Sequence, residues 1–507
     1  MIKVAVIGAG SIGFTRTLVK DLLSVAEFKD NMELTFHDIS KENLDMVYEL
    51  CKRDMKMNGS KSKIFATLNR REALRGAKYI FCVVRVGGIE AFKTDIEIPL
   101  KYGVDQCVGD TLCAGGIMYA QRTIPQMLLF CKDASEVAAK DCLFISHVNP
   151  MAMNTWACTK YGFGVNFVGL CHGVEGGWWQ IAKALKIPQK EIDIVCAGIN
   201  HQTWYIKVKH KGKDLTGKIL EAFKKDRVLS AQEKVRIDML ERFGYYSTES
   251  NGHLSEYVPW YRKRPKELKK WIDLSSWING ETGGYLRVTT EGRNWFKTDF
   301  PKWMKESPVS YGPDKRSHEH GSWIIESLET RRIYRGHFNV VNDGCITNLP
   351  DDAIVEVPGY VDGNGMSIPK VGDLPLGAAA VCNASISVQR LSVEAAVRGD
   401  DALLRQAMML DPLVGAVCNP PEIWQMVDEM LVAQEKWLPQ YKKAIAEAKK
   451  RLKSGKLIMT KNYKGAARLH TRTVAELRKA GDRTRKQAFA ADKSKIDREI
   501  AMTEKKK

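Results

Sequence analysis

The opening stretch constrains this chain more than any other part of it. Lys3-Val4-Ala5-Val6-Ile7 is a short apolar run with β-branched residues, and Gly8-Ala9-Gly10-Ser11-Ile12-Gly13 follows at once. Residues 17–23 then carry apolar side chains at helical spacing. Strand, glycine turn and helix in that order are the phosphate-binding unit of a parallel α/β sheet. Gly8 is expected to permit the tight turn, Gly10 to let a pyrophosphate approach the backbone, and Gly13 to allow close helix packing. Ser11 and the helix N-terminus would face the phosphates with unpaired N–H groups. A second strand, residues 33–37, ends in Asp38. A carboxylate there accepts from ribose hydroxyls and repels a 2′-phosphate, which predicts NAD+ rather than NADP+. Standing before Ser40-Lys41-Glu42, Asp38 also reads as a helix cap.

Further strands fit a parallel sheet buried on both faces. Residues 79–84 run into Arg85-Val86-Gly87-Gly88, a loop at the strand end where ligands lie in such folds. Residues 143–148 end in Asn149-Pro150, where Asn149 can bond a nicotinamide ribose or a sugar. Residues 167–170 end in Cys171-His172-Gly173-Val174, and Ala197-Gly198-Ile199-Asn200-His201 is a second polar cluster. Taken singly, Cys171 reads as a small buried hydrophobe and His201 as a satisfied core histidine. Together they give two ligands of a metal site with open positions, at a spacing unlike a zinc finger.

Charge first suggests an anionic partner, because the 507 residues carry a net +18. Its location argues otherwise. Residues 442–507 hold 22 Lys and Arg against 7 Asp and Glu, so +15 sits there and +3 on the body. Such a tail reads as a solvated basic helix with a frayed end at Lys505-Lys506-Lys507. With only Tyr463 and Phe489 as aromatics it is a poor platform for bases. No apolar run is long enough to span a membrane, and the N-terminus lacks a signal-peptide pattern, which predicts a cytoplasmic chain. The 12 scattered cysteines are expected to be reduced thiols.

Longer motifs carry a family resemblance. Gly8-Ala9-Gly10-Ser11, Val108-Gly109-Asp110-Thr111 with Gly115-Gly116-Ile117, Arg122-Thr123-Ile124-Pro125, residues 148–156, Cys171-His172 and Ala197–His201 together resemble glycoside hydrolase family 4. Its α-galactosidase branch matches best. The likeness continues through residues 244–250, 256–260 and 339–350, and covers roughly 1–440. It implies a Rossmann-like NAD-binding domain over 1–195, an α+β substrate and metal domain over 196–441 of the lactate/malate dehydrogenase-like type, and a basic extension over 442–507. It also implies NAD+ and Mn2+, or another divalent cation, in place of the usual pair of carboxylates. The sugar C3 hydroxyl is oxidised to a ketone, the acidified C2 proton is removed, and elimination expels the aglycone. Water then adds and C3 is reduced again.

Carried over by position, Cys171 and His201 would be metal ligands, and His172 a general acid at the leaving oxygen. Asp110 would bridge substrate and metal environment. Asn149, Asn200 and His172 would contact the sugar. Gly8, Gly10, Ser11, Gly13, Asp38 and Arg85 would hold the dinucleotide. Tyr257, in Ser255-Glu256-Tyr257, matches the C2 base best, although Tyr245, Tyr246, His253 and Tyr261 lie close by. A small glycoside substrate and a homodimer or homotetramer follow from the same resemblance, and neither nucleic acid nor membrane is needed.

The sequence departs from the α-galactosidase pattern in three places. Cys171-His172-Gly173-Val174 has glycine where serine is expected, as in the α-glucuronidase type. Ser317-His318-Glu319-His320 differs too, and residues 262–316 match nothing and are rich in Arg, Lys and Trp. Gly173 is expected to leave room for a larger sugar group, which basic residues nearby would meet if it were anionic. The predicted substrate is therefore an α-galactoside-like hexopyranoside, with an α-glucuronide or sulfoquinovoside as the alternative. A plain NAD-dependent hydroxy-acid dehydrogenase is the rival of another class.

Overall fold

The computed structural model describes residues 1–480. Its strands are β1 (Ile2–Ile7), β2 (Met32–His37), β3 (Lys63–Thr67), β4 (Tyr79–Cys82), β5 (Leu143–Ser146), β6 (Asn166–Gly169), β7 (Ile192–Ile199), β8 (Gln202–His210), β9 (Lys213–Asp214), β10 (Tyr334–Val341), β11 (Ile354–Asp362) and β12 (Gly365–Ser367). All belong to one sheet in the order β3-β2-β1-β4-β5-β6-β10-β11-β7-β8-β9, with β12 on β11. The six from β3 to β6 run parallel, in the doubly wound order of dinucleotide-binding folds. From β10 onward the pairing is antiparallel. The fold is thus a Rossmann-like sheet continued into an α+β part, as the sequence predicts.

Side-chain alternation in β1 explains why helices cover both faces. Val4 and Val6 enter one core with Leu18, Val19 and Leu22 of α1 (Ile12–Leu23). Ala5 and Ile7 enter another with Met127 and Phe130, on the long helix Cys113–Val137. Each such aliphatic, fully buried, contributes about 1.5–3 kcal/mol. The two halves of the sheet meet where the chemistry lies. Asn339 on β10 pairs Gly169, two residues before Cys171, and Glu356 on β11 pairs Gly198, three before His201.

The C-terminal extension differs from the solvated helix expected of it. Helix Lys442–Ser454 buries Ile445 and Ala448 against the body. Residues 455–473 then run back over the molecule as a strap. Tyr463 donates to Asp105 Oδ2 at 2.9 Å, Arg468 pairs Glu97, and Arg472 pairs Glu291 at 2.6 Å. Leu477, on the short helix Val474–Ala480, is fully buried. Charge counting misses this because the basic residues face outward or pair while a few apolar ones anchor the strap. Phe489 and Lys505–Lys507 lie outside the described residues. Among the described residues, no helix is long and apolar enough to cross a membrane.

Candidate active site

The glycine turn follows β1 as predicted, and its three glycines have different surroundings. Gly8 takes φ +86°, and an added Cβ would strike Val83 and Val84, so tight turning accounts for it. At Gly10 a Cβ would sit 2.8 Å from Asp38 Oδ2. The bare position admits that carboxylate, which accepts the Gly10 N–H at 2.8 Å. Gly13 has nothing within 4 Å of where a Cβ would be, so helix packing does not explain it. It lines a cleft of about 200 Å³ with Phe14, Phe81, His147 and Glu319. Asp38 ends β2 and accepts from Ser40 N, while Ser40 itself caps the next helix. Open space at the α1 N-terminus, bare backbone and a carboxylate at the neighbouring strand end together suit a dinucleotide.

Cys171 and His201 come together at the join of the two half-sheets. Cys171 follows β6. His201 occupies the two-residue turn between β7 and β8, where Ile199 pairs Gln202. Its φ is +62°, a left-handed conformation that is uncommon for a non-glycine residue. A third residue completes the corner. Residues 246–248 run along β8, with Tyr205 N bonded to Tyr246 O and Thr248 N to Thr203 O. This carries Glu249 to the turn. Ligand atoms of Cys171, His201 and Glu249 all lie within 4.8 Å of one another. Glu249 Oε2 is buried in ion-pair contact with His201 Nε2 at 2.8 Å. A soft sulfur, an imidazole and a carboxylate are a donor set that fits a divalent cation. The sequence quotes Glu249 only within a motif and gives no sign of its role, because it lies far along the chain from both partners.

Electrostatics in the corner follow from burial and proximity. Burial pushes the Cys171 thiol up to about 12. Burial opposes charge on His201 too, but Glu249 and Cys171 beside it hold the imidazole well above its usual value. Against the same opposition, His201 and His253 hold Glu249 well below the usual carboxylate range. His253 stands edge-on to the His201 ring at 4.7 Å.

One hydrogen-bonded chain ties most of the predicted residues to this corner. Arg85 Nη2 donates to Asp110 Oδ2 at 2.9 Å, with its guanidinium among the Phe92, Tyr119 and Tyr285 rings. Asn149 Nδ2 reaches Asp110 Oδ1 at 3.3 Å, and Thr111 Oγ1 donates to that oxygen at 3.0 Å. Thr111 Oγ1 also lies 3.1 Å from His201 Nδ1, and the Tyr257 hydroxyl 3.4 Å from the same nitrogen. Burial, then Glu256 and Asp110, push the Tyr257 phenol well above its usual value. Of the rival tyrosines, Tyr261 bonds Asp238 and Tyr246 bonds Gln180, both away from the corner. Glu256 accepts the N–H groups of Cys107, Val108 and Gly109, so the helix that presents Tyr257 also grips the Asp110 loop.

Other expected residues are placed differently. His172 is close in sequence but two-thirds exposed, with Nδ1 3.7 Å from Glu319. Asn200 donates to Glu356 Oε2 at 3.2 Å. The room beside Gly173 is already filled, since a Cβ there would lie 2.7 Å from Glu249 Cγ. His320 is buried behind Cys171, contacting its carbonyl at 3.1 Å and Glu175 at 3.2 Å. Four arginines of the unmatched segment are paired elsewhere: Arg262 with Asp105, Arg264 with Glu267, Arg287 with Glu281, and Arg316 with Glu326.

Comparison with known proteins bears on this geometry. Residues 3–187 match the family 4 glycosyl hydrolase model, and residues 196–414 match the model of that family's C-terminal domain. An α-galactosidase of Rhizobium meliloti (strain 1021) is 55% identical over 477 residues, covering 94% of this chain and 97% of its own. An α-galactosidase of Bacillus subtilis (strain 168) is 33% identical, covering 87% of this chain and 100% of its own. Among solved structures, the 6-phospho-β-glucosidase of Thermotoga maritima with manganese, NAD+ and glucose-6-phosphate superposes with a TM-score of 0.70. It is 25% identical and covers 86% of this chain and 99% of its own.

Proposed function

This chain belongs to glycosyl hydrolase family 4, and from that premise we propose that it hydrolyses α-galactosides with NAD+ and a divalent cation such as Mn2+. The corner of Cys171 and His201, with Tyr257, Asp110 and Asn149 bonded around it at the C-terminal ends of the parallel strands, carries this reading. Cys171 and His201 would hold the cation, and the turn at Gly8–Gly13 with Asp38 would hold the dinucleotide. When bound, the two supply a hydride acceptor and a Lewis acid that stabilises charge next to the sugar C2.

The protein's own groups then have distinct tasks. Tyr257 takes the C2 proton, and its hydroxyl is fixed from one side by His201 Nδ1. Its raised value makes the phenolate a strong base, formed only with positive charge close by. Asp110 and Asn149 orient sugar hydroxyls, and Arg85 holds Asp110 in place. His172 reaches solvent beside Cys171, where a proton can be delivered to the leaving oxygen. Arg262, Arg287 and Arg316 are each held by a carboxylate, so none of these three stands ready for an anionic sugar group. All 12 cysteines are free and buried, which supports a reducing, cytoplasmic setting.

The test is turnover of p-nitrophenyl α-galactoside with NAD+, Mn2+ and a reductant in D2O. Deuterium at C2 of the released galactose is expected, without net NADH. Hydrolysis without deuterium at C2 refutes the elimination. Accumulating NADH would mark a dehydrogenase instead.

A further inference from the structure

Resting on the reading that the corner takes a divalent cation, we infer that Glu249 is a third protein ligand of that cation. Gly173 is bare so that Glu249 can reach it. Three observations converge here. Ligand atoms of Cys171, His201 and Glu249 lie within 4.8 Å of one another, close to the span of two metal–ligand bonds of about 2.0–2.3 Å each. Glu249 Oε2 is a buried oxygen whose near side-chain partners are the His201 and His253 ring nitrogens, at 2.8 and 3.6 Å. His201 Nδ1 is engaged by Thr111 and Tyr257, which leaves Nε2 as the nitrogen facing both Glu249 and the corner.

Gly173 supplies the independent element. The three atoms closest to an added Cβ are Glu249 Cγ at 2.7 Å, Cδ at 3.2 Å and Cβ at 3.3 Å. Any side chain at 173 would displace Glu249, so the missing side chain is explained by Glu249 rather than by the substrate. The chemistry agrees. A dication that favours oxygen gains little from sulfur and imidazole alone, and a carboxylate adds an oxygen donor. One thiolate and one carboxylate also balance two positive charges, so the buried corner carries no net charge.

Mn2+ uptake measured by electron paramagnetic resonance of the free ion tests this on the full chain with NAD+ present. Wild type, Glu249→Gln and Gly173→Ser are compared, with NAD+ affinity as the check on folding. Both variants are expected to bind Mn2+ about ten- to a hundredfold more weakly, at unchanged NAD+ affinity. Gly173→Ser keeps all three ligand residues, so it answers even if Glu249→Gln fails to fold. Wild-type Mn2+ affinity in either variant overturns the role of Glu249 while leaving Cys171 and His201 as ligands. A wild-type chain that takes up no Mn2+ overturns both readings.

Discussion

Two buried charge clusters lie on either side of the Tyr257 helix, and they are built in opposite ways. In the first, Arg262 donates to the Asp105 carboxylate and backbone carbonyl, to Ser255 and to the Gly280 carbonyl. Asp105 also accepts from Thr282 and from Tyr463 of the strap. Every polar atom of that pair is partnered. In the second, Cys171, His201 and Glu249 crowd together, with His201 in a left-handed conformation. Behind it Asn200 Oδ1, Glu356 Oε1 and both side-chain polar atoms of Asn339 lack partners. A satisfied network rigidifies, whereas an unsatisfied one leaves polar atoms open to a ligand, an ion or water. The first cluster therefore supports, and the second works.

The contrast predicts that function and stability separate. Tyr257→Phe should lower kcat about 10²- to 10⁴-fold with NAD+ and Mn2+ binding kept, because only the proton-accepting oxygen is lost. Steady-state kinetics beside ligand titration checks this, and a loss confined to KM would break the assignment. Arg262→Met should cost about 3–5 kcal/mol in urea unfolding, since it strands Asp105 as an uncompensated buried charge. Cys171→Ser, by contrast, should abolish Mn2+-dependent turnover while unfolding within about 1 kcal/mol of wild type in the absence of metal. Equal destabilisation by both would erase the distinction.

Ending the chain after residue 454 removes the Tyr463, Arg468 and Arg472 contacts and the Leu477 anchor. Activity should fall and the unfolding midpoint drop by several degrees, on the order of ~2–4 °C per kcal/mol lost. Unchanged activity would return the strap to the status of an appendage. The smallest effect is the strap's response to acid. Burial opposes it, but Arg472 and Arg287 hold Glu291 below its usual value. A lowered folded value means that the pairing stabilises fully above the unfolded carboxylate value and is lost as pH falls through the folded one. Proteolysis in the strap should therefore rise as pH drops below about 4, relative to cleavage elsewhere.

What the sequence made legible follows from chain distance. Strand, glycine turn and Asp38 lie within one supersecondary unit, so their order alone indicates the dinucleotide fold. Cys171 and His201 each end a strand-like run, and the motifs brought them forward together. Glu249 could not be found that way. Its place depends on residues 246–248 bonding along β8, a tertiary event without a local pattern. The same limit explains Gly10 and Gly173, whose missing side chains are visible in sequence although the neighbours that account for them are not. His320 shows the reverse error. It sits in a segment read for substrate specificity, yet its ring backs Cys171 from the interior. The strap was hidden by its composition, since counting charges weighs every lysine and overlooks one buried leucine.

The most direct test is anomalous diffraction at the manganese edge from crystals of the full chain grown with NAD+ and Mn2+. A single manganese peak bounded by Cys171 Sγ, His201 Nε2 and the Glu249 carboxylate is expected, with none beside Asp105 and Arg262. A peak elsewhere, or a corner that stays without manganese while NAD+ is bound, would contradict the assignment of this corner as the working site.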